Sequence, residues 1–164
     1  MKKIAEPSKY KPRVIDSAVC RYLSAFGAVC IEGPKWCGKT TTAEQIAASV
    51  LYMDEPEKKE QNITMSETNP RRLLMGETPR LLDEWQEVPS IWDAVRYTVD
   101  GRAEKGQFIL TGSSTPKRKG VLHSGAGRIG RLRMRTMSLY ESGESGGVVS
   151  LEELCNGKIT PAMT

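Results

Sequence analysis

The sequence is short of the residues that build metal centres and disulfide frameworks. Among its 164 residues are one histidine and four cysteines, and no two cysteines form a Cys-x-x-Cys pair. A zinc site draws on cysteine and histidine at such spacings, and His123 has no second histidine to share a metal with. We therefore expect reduced thiols and no zinc site.

Long apolar runs are also lacking. No segment approaches the roughly 20 apolar residues that cross a bilayer, and charged residues and proline follow Met1 where a secretory signal would have its apolar core. We expect a cytoplasmic protein without a membrane partner. With 38% hydrophobic residues, the chain is long enough for one compact domain and too short for two ordinary ones.

The positive charge is concentrated in one segment, residues 117–135, which has seven basic residues and no acidic one. Such a concentration suits a phosphate-rich partner, either a nucleotide or a nucleic acid. A solvated surface is the alternative. The basic residues are Lys117, Arg118, Lys119, Arg128, Arg131, Arg133 and Arg135.

Short apolar segments alternate with amphipathic ones along the chain. This pattern predicts strands over residues 28–31, 50–53, 80–84, 107–111 and 131–137, the last near a sheet edge, and helices over 17–26, 41–49, 70–74 and 91–99. Residues 54–68 are strongly polar, which favours a loop or insertion. Strands alternating with helices indicate an α/β fold, a parallel sheet of about five strands flanked by helices, with the ligand at the carboxyl ends of the strands.

A glycine-rich loop lies between the first strand and the second helix. Its sequence matches G-x-x-x-x-G-K-[ST], in which backbone N–H groups wrap a phosphate chain and the following helix offers its positive end. Lys39 is expected to bridge the β- and γ-phosphates, and the Thr40 hydroxyl to hold Mg²⁺. The candidate nucleotide-binding residues are Gly33, Pro34, Lys35, Trp36, Cys37, Gly38, Lys39, Thr40 and Thr41.

Two adjacent carboxylates end the third predicted strand. Asp83 is expected to join Thr40 in the Mg²⁺ site, as the acidic residue of a Walker B strand does. Glu84 is then free to act as the base that orients and activates water. Solvated residues after a core strand are the alternative. The sequence has no N-K-x-D run, the usual guanine-selecting motif, so ATP is the expected nucleotide.

Two further sites are candidates for contact with the γ-phosphate. Three hydroxyls follow the fourth strand, of which Ser113 is favoured, with Thr111 and Ser114 as alternatives. Arg128, in a glycine-rich setting before the last strand, is expected to stabilise charge that develops on the γ-phosphate of its own or a neighbouring subunit.

Several motifs in order resemble those of one family. They are Tyr10-Lys11-Pro12-Arg13, the phosphate loop, Leu82-Asp83-Glu84-Trp85-Gln86, Ile91-Trp92-Asp93, Leu110-Thr111-Gly112-Ser113-Ser114, Gly125-Ala126-Gly127-Arg128 and Met137-Ser138-Leu139-Tyr140-Glu141. Over residues 10–141 the chain resembles bacterial and archaeal AAA-type P-loop ATPases that carry a C-terminal domain of unknown function. The resemblance implies an AAA-like P-loop NTPase sheet in which the strand ending at residues 111–114 lies between the Walker A and Walker B strands.

The resemblance also divides the chain. Residues 1–16 are expected to form an N-terminal arm, residues 17–141 the ATP-binding domain, and residues 142–164 the start of a lid or C-terminal domain that the sequence does not complete. The leading functional hypothesis is an Mg-ATPase, and a nucleotide-dependent binding switch, a small-molecule kinase and a nucleic-acid-binding protein are alternatives. A homo-oligomer, and a nucleic-acid or protein partner on residues 117–135, are also expected.

Overall fold

The computed structural model describes residues 10–113 and 124–157. Within them seven α-helices, one 3-10 helix at Trp85–Glu87 and five strands follow one another as expected for an α/β domain. In chain order the α-helices and strands are α1 Asp16–Ala25, β1 Ala28–Gly33, α2 Lys39–Glu44, β2 Ser49–Tyr52, α3 Lys59–Thr68, α4 Pro70–Leu73, β3 Arg80–Asp83, α5 Ser90–Arg102, β4 Phe108–Ser113, β5 Ile129–Arg133, α6 Leu139–Ser142 and α7 Leu151–Cys155. No helix in these residues is both long and apolar enough to span a bilayer.

All five strands form one parallel sheet in the order β2-β3-β4-β1-β5. The predicted α/β class is confirmed, as are the AAA-like strand order that places β4 between β1 and β3 and the edge position of β5. In the central strand β1, Ala28, Val29, Cys30 and Ile31 are all completely buried, because helices cover both faces of a parallel sheet and continuous apolar runs form its strands.

Two apolar clusters cover the two faces of the sheet. Helix α5 contributes Ile91, Trp92, Val95 and Val99 to the first, as their helical spacing predicts. Helix α1 contributes Val19 and Leu23 to the second. The phosphate loop joins this second cluster through one buried side chain, that of Cys37.

The prediction of a loop over residues 54–68 is wrong, because α3 occupies Lys59–Thr68. The helix is polar, so no apolar stripe marks it in the sequence. Tertiary contacts stabilise it instead. Asn62 is buried and its amide donates to the backbone oxygen of Tyr52 at 3.3 Å, while Ile63 and Met65 pack partly against the first cluster.

The second predicted helix is shorter than expected and ends at Glu44 instead of Ser49. The N–H groups of Gln45 and Ile46 bond three residues back, and the N–H of Ala48 donates to the oxygen of Pro79 at 2.8 Å. The backbone thus leaves the helix to begin the β2–β3 pairing, and Val50 lies in β2 as predicted. Likewise β5 starts at Ile129 and ends at Arg133, earlier than predicted.

Candidate functional site

The glycine-rich loop connects the carboxyl end of β1 to the first turn of α2. Gly38 has φ of 99°, a left-handed conformation that glycine adopts without steric cost. A Cβ atom at Gly33 would lie 2.4 Å from the backbone oxygen of Met134, so only glycine fits there. The loop therefore needs glycine at both positions of its motif.

Lys39, the motif lysine, lies under this loop. Its side chain is 5% exposed, and its Nζ donates to the backbone oxygens of Gly33 at 3.1 Å and Pro34 at 2.9 Å. The ammonium group is thus held inside the curve of the loop, the position from which it can transfer its hydrogen bonds to an anion.

The carboxylate of Asp83 joins three elements beside the loop. Thr40 Oγ1 from α2 donates to Asp83 Oδ1 at 2.7 Å, and Thr111 Oγ1 from β4 donates to the same oxygen at 2.5 Å. Asp83 is 4% exposed, and burial raises the pKa of its carboxyl above the ordinary value, while both hydroxyls oppose this shift. Within the described residues, the hydrogen-bond partners of this carboxylate are hydroxyl groups, and no cationic side chain is among them.

This arrangement fits a magnesium ion. Mg²⁺ prefers oxygen ligands, takes one or two from the protein and keeps several waters beside phosphate oxygens. The Thr40 hydroxyl and the Asp83 carboxylate are in contact and are such ligands. No cluster of three or more His, Cys, Asp or Glu side chains suited to a metal occurs in residues 10–113 and 124–157, so a metal held by protein ligands alone is not indicated there.

Glu84 follows β3 in a left-handed conformation, with φ of 54° and ψ of 47°. The amide of Gln86 donates to the Glu84 carboxylate, and the backbone N–H of Glu84 points to Thr111 Oγ1 at 3.4 Å. A non-glycine residue with positive φ is uncommon and points to a constrained turn. Glu84 thus lies in such a turn, and its carboxylate is held by Gln86, a residue to which the sequence analysis gave no role.

The two hydroxyl residues of β4 that the structure describes, Thr111 and Ser113, lie two positions apart along the strand and have different neighbours. Ser113 pairs with Gly33, at the entrance of the loop. Thr111, ranked second from the sequence, is the residue that contacts Asp83. Ser114 lies outside the described residues. The favoured γ-phosphate contact of Ser113 stays a prediction, whereas the role of Thr111 as a partner of the acidic residue is a new observation.

The remaining loop residues differ in exposure. Cys37 is buried, whereas Pro34, Lys35 and Thr41 are exposed. Trp36 is 92% exposed at φ of 66°, with the Lys35 ammonium 5.8 Å from its ring centroid. Trp36 thus lies on the outside of the loop instead of in the core.

A cavity of about 440 Å³ adjoins the outer side of the loop and α2. Tyr10 closes one side, with its hydroxyl donating to Asp16 Oδ1 at 2.8 Å and lying 3.0 Å from Thr42 Oγ1; burial raises the pKa of Tyr10 to about 12. The sequence assigned Tyr10 only to an arm, because the residues that enclose the cavity are far apart along the chain. Its lining includes Tyr10, Lys11, Trp36, Thr41, Thr136 and Met137.

Among the candidates that the structure describes, Arg128 lies apart from the phosphate loop. Its backbone oxygen accepts from Ala28 N at 3.1 Å, at the amino end of β1, and its Nε donates to Asp100 Oδ1 at 2.7 Å. At about 3.3 Å per residue, β1 separates this position from Gly33 by about 16 Å. The expectation that every candidate lies at the carboxyl ends of the strands is wrong for Arg128, because it precedes its strand. A γ-phosphate contact within its own subunit does not fit this geometry.

The basic segment is described only in part, since Lys117, Arg118 and Lys119 lie outside the described residues. Arg131 pairs with Glu32 at 2.7 Å and its guanidinium lies 4.6 Å from the ring centroid of Trp92. The side chains of Arg133 and Arg135 are exposed. Part of the charge of residues 117–135 is therefore neutralised by the protein itself.

A buried ion pair anchors the predicted N-terminal arm to the phosphate loop. Arg13 donates to Glu141 Oε1 at 3.0 Å, to the Cys37 oxygen at 2.7 Å and to the Arg135 oxygen at 3.0 Å. The two charged side chains are 5% and 8% exposed. Backbone N–H groups of Ser138 and Val14 also donate to Glu141, and they hold its pKa at about 2. Sequence reasoning missed this junction because its partners are 128 residues apart.

We expect the ion pair between Arg13 and Glu141 to make the free energy of unfolding depend on pH in the acidic range. The folded-state pKa of Glu141 is depressed from 4.5 to about 2, so its contribution is fully present above pH 4.5 and is lost as the pH falls toward 2. Glu141→Gln should lower the free energy of unfolding at pH 7 by roughly 2 kcal/mol, the cost of weakening charged hydrogen bonds.

Urea denaturation at several pH values measures this effect, with Glu144→Gln as the control, because Glu144 is exposed and near the same helix. The difference between wild type and Glu141→Gln should shrink below pH 4.5. A constant difference down to pH 2 would contradict the assignment.

Comparison with known proteins agrees with the fold and the loop. A search of curated proteins found no match. A family model described as AAA domain matches residues 25–143, which include β1 to β5, the phosphate loop and the Asp83 carboxylate. AAA domains bind nucleotide through a P-loop, and the match covers most of the chain. The chain therefore belongs to the AAA domain family of P-loop nucleotide-binding proteins.

Proposed function

We propose that this chain binds ATP with Mg²⁺ at the phosphate loop and hydrolyses it. The observation that carries the proposal is the contact between Thr40 Oγ1 and Asp83 Oδ1 at 2.7 Å, with Lys39 held inside the loop nearby. It brings a hydroxyl, a buried carboxylate and an ammonium together at the carboxyl ends of β1 and β3. These are the groups that a magnesium–phosphate complex needs.

In the proposed complex the triphosphate lies along the loop. Backbone N–H groups of residues 35–41 bind the phosphates, and Lys39 exchanges its bonds to the Gly33 and Pro34 oxygens for bonds to phosphate oxygens. Thr40 and Asp83 would hold Mg²⁺, which when bound neutralises charge on the phosphates. The cavity beside Tyr10 and Trp36 offers space for the base next to the loop.

Hydrolysis is assigned to Glu84. Its carboxylate accepts a proton from a water whose oxygen forms a bond to the γ-phosphorus. The bond from the γ-phosphorus to the bridging β-phosphate oxygen breaks, and ADP and inorganic phosphate are released. The Gln86 amide orients the carboxylate. The Ser113 hydroxyl, next to Gly33 across the strand pair, is proposed to hydrogen-bond the γ-phosphate or the attacking water.

Phosphate release from Mg-ATP by the purified chain is the direct test of this proposal. Steady turnover that Lys39→Ala removes supports an ATPase. Tight Mg-ATP binding without turnover would instead support the second candidate, a binding switch that uses nucleotide occupancy alone. The strained turn at Glu84, φ 54°, favours the ATPase because constrained backbone of this kind occurs at catalytic sites.

Arg128 is proposed to act, if it contacts nucleotide, on the site of a neighbouring subunit in a homo-oligomer. Its exposed position at the amino end of β5 supports this arrangement over action within one chain. Arg128→Ala mixed with excess Lys39→Ala should then regain some of the ATPase activity that each lacks alone, because each supplies the intact residue at a mixed interface. No gain in activity at any mixing ratio would remove Arg128 from the mechanism.

A further inference from the structure

A second groove, of about 480 Å³, lies between α4 and α5 and is distant from the phosphate loop. Helix α5 runs from the carboxyl end of β3 to the amino end of β4, so its last turn is at the amino edge of the sheet. The groove adjoins this last turn of α5 through Gly101 and Arg102. Its lining has three arginines and no acidic residue, and consists of Asn69, Arg71, Arg72, Leu74, Met75, Tyr97, Thr98, Gly101 and Arg102.

The charge of these arginines is not neutralised by carboxylates. No ion pair within residues 10–113 and 124–157 involves Arg71, Arg72 or Arg102. Two arginines just outside the groove, Arg96 and Arg128, both pair with Asp100 at 3.3 and 2.7 Å. Asp100 thus pairs with arginines outside the groove, and the three arginines that line the groove form no ion pair with it.

An aromatic ring lies among these charges. Tyr97 is 57% exposed, and the Arg71 guanidinium lies 5.0 Å from its ring centroid. Met75 beside it is also exposed. Proteins bind single-stranded nucleic acids with exposed aromatic rings and arginines along a groove. An unpaired base stacks on the ring, and the arginines contact the phosphates. Paired bases in a duplex do not offer their faces for such stacking.

We propose that the α4–α5 groove binds a single strand of nucleic acid, with Arg71, Arg72 and Arg102 on the phosphates and a base stacked on Tyr97. This site differs from residues 117–135 and from the ATP site. The charge of the groove favours a polyanion. The Tyr97 ring favours a nucleic acid with unpaired bases, which can stack on it, over an acidic peptide.

Fluorescence anisotropy with a labelled oligothymidine of about 15 nucleotides tests this proposal at several salt concentrations. R71Q/R72Q/R102Q should raise Kd at least about tenfold and make the slope of log K against log salt shallower by about 2, since each phosphate contact on a single strand accounts for about 0.7. Y97L should weaken binding at least about fivefold and leave the salt slope unchanged.

K117Q/R118Q/K119Q is the matched control, because it removes the same charge elsewhere in the chain. It should change Kd much less than the groove variant. Equal losses in the two triple variants would overturn the proposal in favour of non-specific attraction, and a larger loss in the control would move the site to residues 117–135. Competition by poly-glutamate as effective as by oligothymidine would also overturn it.

Melting temperatures establish that each variant is folded. Arg71, Arg72 and Arg102 are exposed, so the triple variant should melt close to wild type. If the triple variant unfolds, the single variants R72Q and Y97L are tested in its place. The side chain of Arg72 has no hydrogen bond or ion pair among the described residues, so R72Q should fold. Wild-type affinity in both single variants would then overturn the proposal.

Discussion

Lys39→Ala should raise the Kd for Mg-ATP about 100-fold or more, because each hydrogen bond to a charged group contributes roughly 1.5–3 kcal/mol and the ammonium can make two of them to phosphate. In the free chain the ammonium donates to the Gly33 and Pro34 oxygens, 3.1 and 2.9 Å away. The proposed bonds to phosphate would replace these two. Isothermal titration calorimetry with Mg-ATP measures the change.

Lys35→Ala is the matched control for this variant. Lys35 belongs to the same loop, but its side chain is exposed and its ammonium lies over Trp36 on the outside. Its removal should change Kd by less than about threefold, the effect of one solvated charge. If Lys39→Ala is folded, as its melting shows, and binds Mg-ATP with unchanged affinity, the proposal that this loop binds nucleotide is wrong.

Glu84→Gln should leave Mg-ATP binding within a few-fold of wild type while slowing hydrolysis by about 100-fold or more, the usual loss when a general base is removed. Glutamine keeps the size of the side chain and its bond with Gln86 but cannot accept a proton from water. Single-turnover phosphate release, with calorimetry on the same preparation, separates the two effects.

Glu87→Gln controls for the loss of a nearby carboxylate. Glu87 lies three residues further on and pairs with Lys59 at 2.6 Å on the surface, so its removal should leave turnover unchanged. Asp83→Asn should show a different defect, a weaker dependence of binding on Mg²⁺, since Asp83 contacts Thr40. Hydrolysis by Glu84→Gln at the wild-type rate would show that water is activated elsewhere.

The class of fold could be predicted from local pattern. Continuous apolar runs such as Ala28-Val29-Cys30-Ile31 are buried on both faces, and the spacing of Ile91, Trp92, Val95 and Val99 leaves one helical face apolar, so these elements are visible in the sequence. Helix α3 carries no such stripe. It forms because of contacts with residues distant in the chain, which no local window contains.

The candidate site divides in the same way. The glycine loop with Lys39 and Thr40 could be proposed as a site from the sequence because short-range spacing defines its motif, and Asp83 because it ends a continuous apolar strand. Arg128 was expected near the phosphates because glycines surround it. Its true position depends on the pairing of β5 with β1, which puts it at the amino edge beside Asp100.

The sequence by itself determined the glycine-rich loop, the α/β class of the fold and the strand that ends in two carboxylates, because backbone conformation and apolar periodicity are local properties. Tertiary structure alone decided that Thr111 shares Asp83 with Thr40, and that Arg13 joins the loop to Glu141. It also decided that Arg71, Arg72, Tyr97 and Arg102 line one groove. Such contacts form when sheet pairing and helix packing bring distant segments together, so the spacing of residues along the chain does not predict them.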